Sequence, residues 1–523
     1  MNAMLGMLLH QGLAAYQAGD LVKAESLLRG VLQMDARSFD ALHLLGLLLG
    51  DCGRHAESIC LIEQALAVAP GEAAAWSNLG SALNAEQRRD DAQHAYETAL
   101  RLAPDMPEAL NGLGNVLLAQ GDVRAALTRF DAAISCQPDF AEAHNNRGNA
   151  LFALRYLPEA IEAYDVAIQL RPRYAEAFNN KGFALVQLRR CDEALAAYEQ
   201  ALAIAPDYTR ALLNKGLCYL LQGNYAAGWP LYEYRWSDQQ RGQRQIFRQP
   251  PWQGGETLQG RTILVYAEQG FGDTLQFCRY VPLLRERGAH IVLELPAALL
   301  DLAASLGPGI DCVRSGAKRP HFDLHCPLAS LPWAFATTLD TIPAAFPYLA
   351  ADAARITPWQ ARLGLTGERP SIGLVLSGSQ TDPWRALDPA LLDWLPACDA
   401  DLVVLQQTLG ERERAWLARH PRVKAPAESL ESFADTAAVI AQLDLVISVD
   451  TAVAHLAGAM DKPLWLMLYA GSDWRWQCEG AHSVWYRSAR LFRQAQHGDW
   501  ATLLTDELEP ALRHWLSAHE GNA

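Results

Sequence analysis

Hydrophobic and polar positions obey two different rules in the two halves of this chain. Up to about residue 236 small residues recur with one period. Glycine stands at 12, 46, 80, 114, 148, 182 and 216, a strict spacing of 34, and proline at 70, 104, 138, 172 and 206 with the same step. Alanine recurs at 24, 92, 126, 160 and 194, with Ser58 in the one gap. Beyond residue 261 the pattern changes to short, solid apolar runs alternating with helical stretches, as expected of strands buried on both faces. The predicted strands are Ile263–Tyr266, His290–Leu295, Ser371–Gly378, Asp401–Gln407, Leu445–Val449 and Leu464–Leu468.

A 34-residue period with small residues where helices cross and proline at the end of each unit is the tetratricopeptide signature. It predicts two antiparallel helices per unit, the small residue letting the first helix approach the second and proline blocking continuation into the next unit. Six full units run from Met7 to Arg210, and a partial seventh begins at Ala211. Stacked units present a concave wall built from the first helices. One position of that wall carries Asn78, Asn146, Asn180 and Asn214, again multiples of 34 apart, with Gly112 interrupting. Aligned asparagines can hydrogen-bond an extended peptide backbone without reading its sequence, so a protein or peptide in the repeat groove is the expected partner. The row resembles the asparagine ladder of the O-linked N-acetylglucosamine transferases. Asparagine is also common at this position in such repeats, and a short array can serve instead as the surface of a homo-oligomer.

The chain therefore reads in four parts: residues 1–236 as the repeat array, 237–260 as a polar linker, and 261–355 and 356–523 as two α/β halves. At the seam, NYAAGWPLYEYRW replaces the small repeat residues by Trp229, Tyr232, Tyr234 and Trp236, an aromatic cluster suited to capping the array and fixing it to the next domain. Arg241, Arg244 and Arg248 of the linker read as solvated, and Trp252 as its anchor. The segment His321–Phe335 reads as a loop lining a cleft. His321 and His325 could share a metal only on a helix, which Pro327 opposes.

Composition narrows the function classes. With 523 residues there is room for two to four domains, and half the residues are hydrophobic. A formal net charge of -15 argues against generic binding to nucleic acid or an anionic membrane surface. Ten scattered cysteines with no C-x-x-C pair suggest reduced thiols in a cytoplasmic protein rather than a disulfide framework. No apolar run is long enough to span a membrane, and the apolar start lacks the basic region of a signal peptide.

Two stretches carry candidate chemistry. In DLVISVDTAVAHLAGAMDKPLWLML, Asp444–Leu468, two buried strands flank a short helix, with Asp450 and Thr451 at the switch from strand to helix. Free backbone N–H groups and the helix dipole favour an anion there. The alanines and Gly458 keep the helix thin, and His455 can reach the same anion. Ordinary α/β packing has the same order of elements, with His455 a core or capping residue. In AEQGFGDTLQF, Gly270 and Gly272 allow a tight turn and close approach of a ligand. Asp273 falls at the N-cap of the succeeding helix, either as a cap only or as a general base facing a cleft.

DTAVAHLAGAMDKP resembles the D-T-x-x-x-H-L-A-x-A-x-x-K-P stretch of glycosyltransferase family 9, the heptosyltransferases. The repeats, GWPLYEYRW, the AEQGFGDTLQF loop, FDLHCPLASLP and DWRW together look like a bacterial family that joins tetratricopeptide repeats to a domain related to family 9, and more distantly to the O-linked N-acetylglucosamine transferases. The resemblance implies an α-solenoid succeeded by a GT-B-like pair of Rossmann-type domains. It also implies an inverting glycosyltransferase that uses a nucleotide sugar as substrate and needs no metal or cofactor. Asp273 is then the base on the acceptor. Asp450, Thr451 and His455 hold the diphosphate, Ser377 to Arg385 form the loop after the Ser371–Gly378 strand, and Gln406 lies near the nucleotide. Two departures count against catalysis. The loop reads GSQTDPWRALD, leaving Arg385 where relatives carry several basic residues, and Gln407 stands where relatives often have lysine. The alternatives are a repeat scaffold with a degenerate sugar-nucleotide domain, and a transferase acting on a glycan or lipid-linked sugar.

Overall fold

The structure, a computed structural model, describes residues 2–236, 245–377, 385 and 387–520. Arg241 and Arg244 of the linker, and most of the loop from Ser377 to Arg385, lie outside the described residues. The chain divides into two compact units: Met1–Leu185 with Glu199–Pro206, and Val186–Tyr198 with Asp207–Ala523.

The first unit is a run of antiparallel helix pairs, and the periodic residues explain it. Helices end at Val68, Leu102, Cys136, Leu170 and Ile204, each two residues before the periodic proline. The periodic glycines are the points of closest helix approach. A Cβ on Gly46 would sit 2.6 Å from Ile62, one on Gly80 2.9 Å from Tyr96, one on Gly114 2.5 Å from Phe130, and one on Gly148 2.5 Å from Tyr164. Each partner lies sixteen residues on, in the second helix of the pair, and each is buried. The spacing of 34 is therefore the spacing of one steric requirement, a missing side chain under a large one.

In the second unit the pair Thr209–Leu221 and Tyr225–Tyr232 repeats the device, Gly216 lying under Leu231 at 2.7 Å. Tyr225, Trp229 and Tyr232 then interlock with Trp474 and Trp485, ring centroids 5.2–6.4 Å apart. Trp229 Nε1 donates to the Thr337 carbonyl at 2.9 Å. Tyr234 is 41% exposed, while Trp236 is half-buried and lies with Tyr232 against the Arg235 guanidinium. Trp252 does anchor the linker, its ring buried and its Nε1 donating to Glu256 O at 3.1 Å.

The rest of the second unit is built on two parallel sheets. The first contains β1 (Thr262–Tyr266), β2 (His290–Leu295), β3 (Ile310–Arg314) and β4 (Leu324–Pro327), in the order β3-β2-β1-β4. The second contains β5 (Ser371–Val375), β6 (Asp401–Val404), β7 (Leu445–Val449), β8 (Leu464–Leu468) and β9 (Ala489–Arg493), in the order β6-β5-β7-β8-β9. In each sheet the order reverses beside the first strand, between β1 and β4 and between β5 and β7. Crevices outside the carboxyl ends of strands at such reversals are where open α/β sheets take ligands.

Three expectations need correction. His321–Phe335 is not a loop: Leu324–Pro327 pairs with β1, and His325 is buried in it. Pro327 is tolerated because β4 ends there, at the margin of its sheet. The division at 355/356 falls inside a helix, Ala353–Leu363, which Asp352 caps by accepting from Ala354 N at 2.9 Å. The strands predicted as Ser371–Gly378 and Asp401–Gln407 stop at Val375 and Val404. Among the described residues no helix is long and apolar enough to cross a membrane.

Candidate functional site

The segments beyond the two strand-order reversals meet at one cavity of about 870 Å³. Gly270, Gly272 and Asp273 reach it from the loop after β1, Ser377 and Arg385 from beyond β5, and Gln406 from beyond β6. Asp450, Thr451 and His455 come from the switch after β7. All nine residues singled out around the cleft therefore line one space. Asn78, Asn146 and Asn180 belong to the first unit and are engaged otherwise.

The helix Ala452–Ala459 presents its first turn to this space. Thr451 is its N-cap, with extended backbone (φ -145°, ψ 170°) and no side-chain hydrogen bond to the turn. His455 N closes the first helical bond on Thr451 O. The N–H groups of the first turn have no partner within the helix, and Ala452 and Val453 line the cavity. The helix is thin because it must be: a Cβ on Gly458 would meet the Tyr486 ring at 2.4 Å.

His455 is buried and held on three sides. Its Nδ1 lies 2.8 Å from Tyr486 Oη, its ring stacks on Trp476 at 5.3 Å, and its Nε2 is 3.9 Å from Asp450 Oδ1. Burial, then the charges of Arg475, Arg279 and Arg385, push its pKa well below the ordinary value. The imidazole is neutral at neutral pH. Because Nε2 faces the Asp450 carboxylate, we assign the ring proton to Nε2, with Nδ1 accepting from the Tyr486 hydroxyl. Asp450 is also buried, which raises its pKa, while Arg385 Nη1, 3.7 Å from Oδ2, pulls the other way.

Asp273 is not the N-cap. The helix begins at Phe271, Gly270 is the N-cap, and Asp273 occupies the third position, its Oδ2 accepting from Gly270 N at 3.0 Å. Its other oxygen accepts from the buried guanidinium of Arg475. Arg475 also donates to Asp473 Oδ1 at 2.8 Å and lies over the Trp474 ring, 4.4 Å from its centroid. Sequence reasoning missed Arg475 as a site residue. Its only signal is its place in DWRW, 202 positions from the carboxylate it holds.

Gly272 and Gly270 have different roles. A Cβ on Gly272 would meet His455 Cδ2 at 2.8 Å and Ala452 Cα at 3.7 Å, so Gly272 is the point where the loop after β1 touches the helix after β7. A Cβ on Gly270 would meet only Asp273 Oδ2, at 3.2 Å. Gln406 braces the loop ends: its Oε1 accepts from Leu376 N and its Nε2 donates to Ser377 Oγ, each at 2.8 Å. Ser377 Oγ in turn donates to Glu413 Oε1 at 2.7 Å. Gln407 donates to Leu430 O at 2.7 Å, a structural tie. Among the described lining residues the arginines 235, 385 and 475 balance the aspartates 273, 450 and 473.

A second cavity of about 480 Å³ lies at the end of β1, lined by Tyr266 and Glu268 among others, and it shares Arg235 and Gln269 with the first. Arg235, 4% exposed, donates to Glu268 Oε1 at 3.0 Å and to Ser330 Oγ at 2.6 Å. Burial nevertheless pushes the Glu268 carboxyl up to about 7.

In the first unit, Asn146 Nδ2 donates to Asn111 Oδ1 at 2.9 Å. Asn180 Nδ2 donates to Asn145 Oδ1 at 3.1 Å and to Asn149 Oδ1 at 3.2 Å, and Asn78 Nδ2 lies 2.9 Å from His43 Nε2. These amides tie each first helix to the first helix of the preceding pair, about one repeat back along the chain. Among the described residues no group of three or more His, Cys, Asp or Glu side chains is gathered in a way that could hold a metal.

A tetratricopeptide-repeat family model matches residues 85–123, 112–175 and 180–235, and the model of glycosyltransferase family 9 (heptosyltransferase) matches residues 426–477. The chain thus carries tetratricopeptide repeats together with a family 9 segment that contains Asp450, Thr451, His455 and Arg475. Protein FlbA of Caulobacter vibrioides is 26% identical over 320 residues, covering 54% of this chain and 51% of FlbA. The chain spans about half the length of that curated relative. Among solved structures, the APC/C hetero-tetramer Cut9–Hcn1 is similar at a TM-score of 0.40 and 18% identity, over 41% of this chain and 42% of that one. Pseudomonas aeruginosa pilF is similar at a TM-score of 0.36 and 20% identity, over 40% of this chain and 96% of that one.

Proposed function

We propose that the second unit is a glycosyltransferase of GT-B type, its two parallel sheets acting as a pair of Rossmann-type halves, and that it transfers a sugar from a nucleotide-sugar donor with inversion and without a metal. The observation that carries the reading is the convergence of both strand-order reversals on one cavity, with the family 9 segment supplying a helix N-terminus to it. The donor diphosphate rests on the N–H groups of Ala452 and Val453 and on Arg385. Asp273, oriented by Gly270 N and Arg475, takes the proton of an acceptor hydroxyl. The freed oxygen attacks the anomeric carbon from the face opposite the diphosphate. As that bond forms, the bond to the diphosphate breaks, and the leaving group departs with the electron pair. Neutral His455, with its N–H on Nε2, donates a hydrogen bond without adding charge. The acceptor approaches through the smaller cavity beside Glu268, and the repeats recruit the protein or peptide that bears it.

A scaffold with a non-catalytic sugar-nucleotide domain is the second reading. It is favoured by the balanced charges of the lining, since a diphosphate needs an excess of positive charge that the three arginines do not leave over. Thermal unfolding of the whole chain against UDP-, GDP- and ADP-sugars, with and without EDTA, separates the two. A ligand at a hundred times its dissociation constant adds about 2.7 kcal/mol. A shift with one nucleotide that EDTA leaves unchanged, and sugar transfer that Asp273→Asn abolishes, support the transferase. Nucleotide binding with no transfer to any acceptor leaves the scaffold. Silence across the panel in folded protein overturns the donor site itself.

A further inference from the structure

We propose that Cys191 and Cys478 form a redox modification site, a thiol pair that closes to a disulfide under a two-electron oxidant of the peroxide or disulfide class. The two residues lie 287 positions apart, yet their Sγ atoms are 3.5 Å from each other, in van der Waals contact. Closing to a disulfide length of about 2 Å asks for a small side-chain adjustment on each side. Cys191 opens the helix Cys191–Ile204, and Cys478 lies just past the turn Trp474–Trp476 in the loop beyond β8. Both line a cavity of about 410 Å³, so a small oxidant has a way in. Arg189 lines the same cavity, and its Nη2 is buried with no hydrogen-bond partner. Its charge, with that of Arg493, favours a thiolate at Cys478. Against this, the mutual hydrogen bond and burial push the Cys478 thiol up, and the neighbouring Cys218 pushes Cys191 up to about 12. The pair therefore rests protonated and reduced until an oxidant meets it.

With a peroxide, the Cys478 thiol first gives its proton to water, and the thiolate, favoured by the charges of Arg189 and Arg493, attacks one oxygen. The O–O bond breaks, and the departing hydroxide takes a proton back from water and leaves as water. The Cys191 sulfur then attacks the sulfenic sulfur of Cys478, the S–S bond forms, the S–O bond breaks, and a second water leaves. Two thiols lose two electrons, and one peroxide becomes two waters. The location gives the bond a consequence. Cys478 is three residues from Arg475, which holds Asp273, and two from Trp476, on which His455 stacks. Gln477 between them sits at φ +57°, a backbone state uncommon for a residue with a side chain. The cross-link would therefore fix the turn that supports the cleft.

The test is oxidation of the full chain with diamide, then proteolysis and mass spectrometry without reduction. The expected product is a peptide pair joined through Cys191 and Cys478, a fall in titratable thiols from ten to eight, and recovery of both by dithiothreitol. In the oxidised chain the amides of Trp474–Cys478 should exchange more slowly. Cys218→Ser should keep the cross-link and Cys478→Ser should lose it. The mapping on the native chain stands whether or not either variant folds. The proposal is overturned if Cys191 pairs with Cys218 instead. It is equally overturned if both target thiols stay free while the exposed Cys52, Cys60, Cys136 and Cys312 react.

Discussion

Replacing Gly272 by alanine adds one methyl group at the contact between the two halves of the cleft. That methyl would lie 2.8 Å from His455 Cδ2, against an ordinary carbon contact of about 3.5–4.0 Å, so something must move by most of an ångström. The imidazole cannot: it is buried between the Trp476 ring and the Tyr486 hydroxyl, 2.8 Å from its Nδ1. Ala452 Cα, 3.7 Å away, blocks a slide along the helix. Overpacking of this kind costs about 1–3 kcal/mol. For a unit of this size 1 kcal/mol is worth about 1.5 °C, so the unfolding midpoint of the second unit should fall by roughly 1.5 to 4.5 °C. The same strain moves Ala452 and Val453, so affinity for a nucleoside diphosphate should drop as well, tenfold for each 1.4 kcal/mol that reaches the site. Gly270→Ala is the internal control. Its methyl would meet only a carboxylate oxygen at 3.2 Å, and its φ of -64° suits alanine. Loss of chain freedom in the unfolded state even favours the alanine by about 0.4–1 kcal/mol. Calorimetric melting of both variants, with titration of UDP and ADP, reads the difference. Equal midpoints for the two would refute the claim that Gly272 is the contact point and Gly270 is not.

The two glycines are identical in the sequence pattern, and their different surroundings mark how far the chain can be read from its residues alone. The 34-residue period is legible because one steric need, a bare Cα under a large side chain, recurs from pair to pair and leaves a glycine each time. β2, β7 and β8 match the predicted strands residue for residue, because burial on both faces keeps them apolar apart from His290, Glu294 and Ser448. β5 and β6 end early because the residues after them turn away from the ladder. Gln406 and Ser377 lock those turns by hydrogen bonds that no periodicity announces. Asp273 is legible as a cleft residue but not in its helical position, because Phe271 and Gly272 look like loop and fold as the first turn. Arg475 is invisible as a partner, since its charge is matched by a carboxylate 202 positions away. The asparagines are legible by position, but their partners are set by the neighbouring helix, a distance along the chain that one repeat cannot reveal.

Those partners can be tested in turn. Arg475→Met leaves Asp273 and Asp473 without the cation they share and should destabilise the second unit by about 3–5 kcal/mol, read by urea unfolding. A loss below about 1 kcal/mol would mean that the carboxylates find water instead. Asn180→Ala removes two inter-helix hydrogen bonds and should lower stability of the first unit by about 1–3 kcal/mol. An unchanged midpoint with weakened capture of an extended peptide would return the ladder to peptide binding. The pH dependence carries two opposed signs. His455 is neutral when folded but takes a proton near 6.5 when unfolded, so the unfolded state binds more protons and stability is lost as pH falls below about 6.5. Glu268 is the reverse: folded it keeps its proton up to about 7, unfolded only to about 4.5, so its contribution is present at low pH and lost as pH rises from about 4.5 to 7. Melting curves from pH 4.5 to 8 should therefore steepen on the acid side in Glu268→Gln, where only the histidine slope remains. In His455→Gln the acid loss should disappear. If Glu268→Gln leaves the curve unchanged, the Arg235 ion pair outweighs burial and the carboxyl is charged throughout, which would also change what the smaller cavity offers an acceptor hydroxyl.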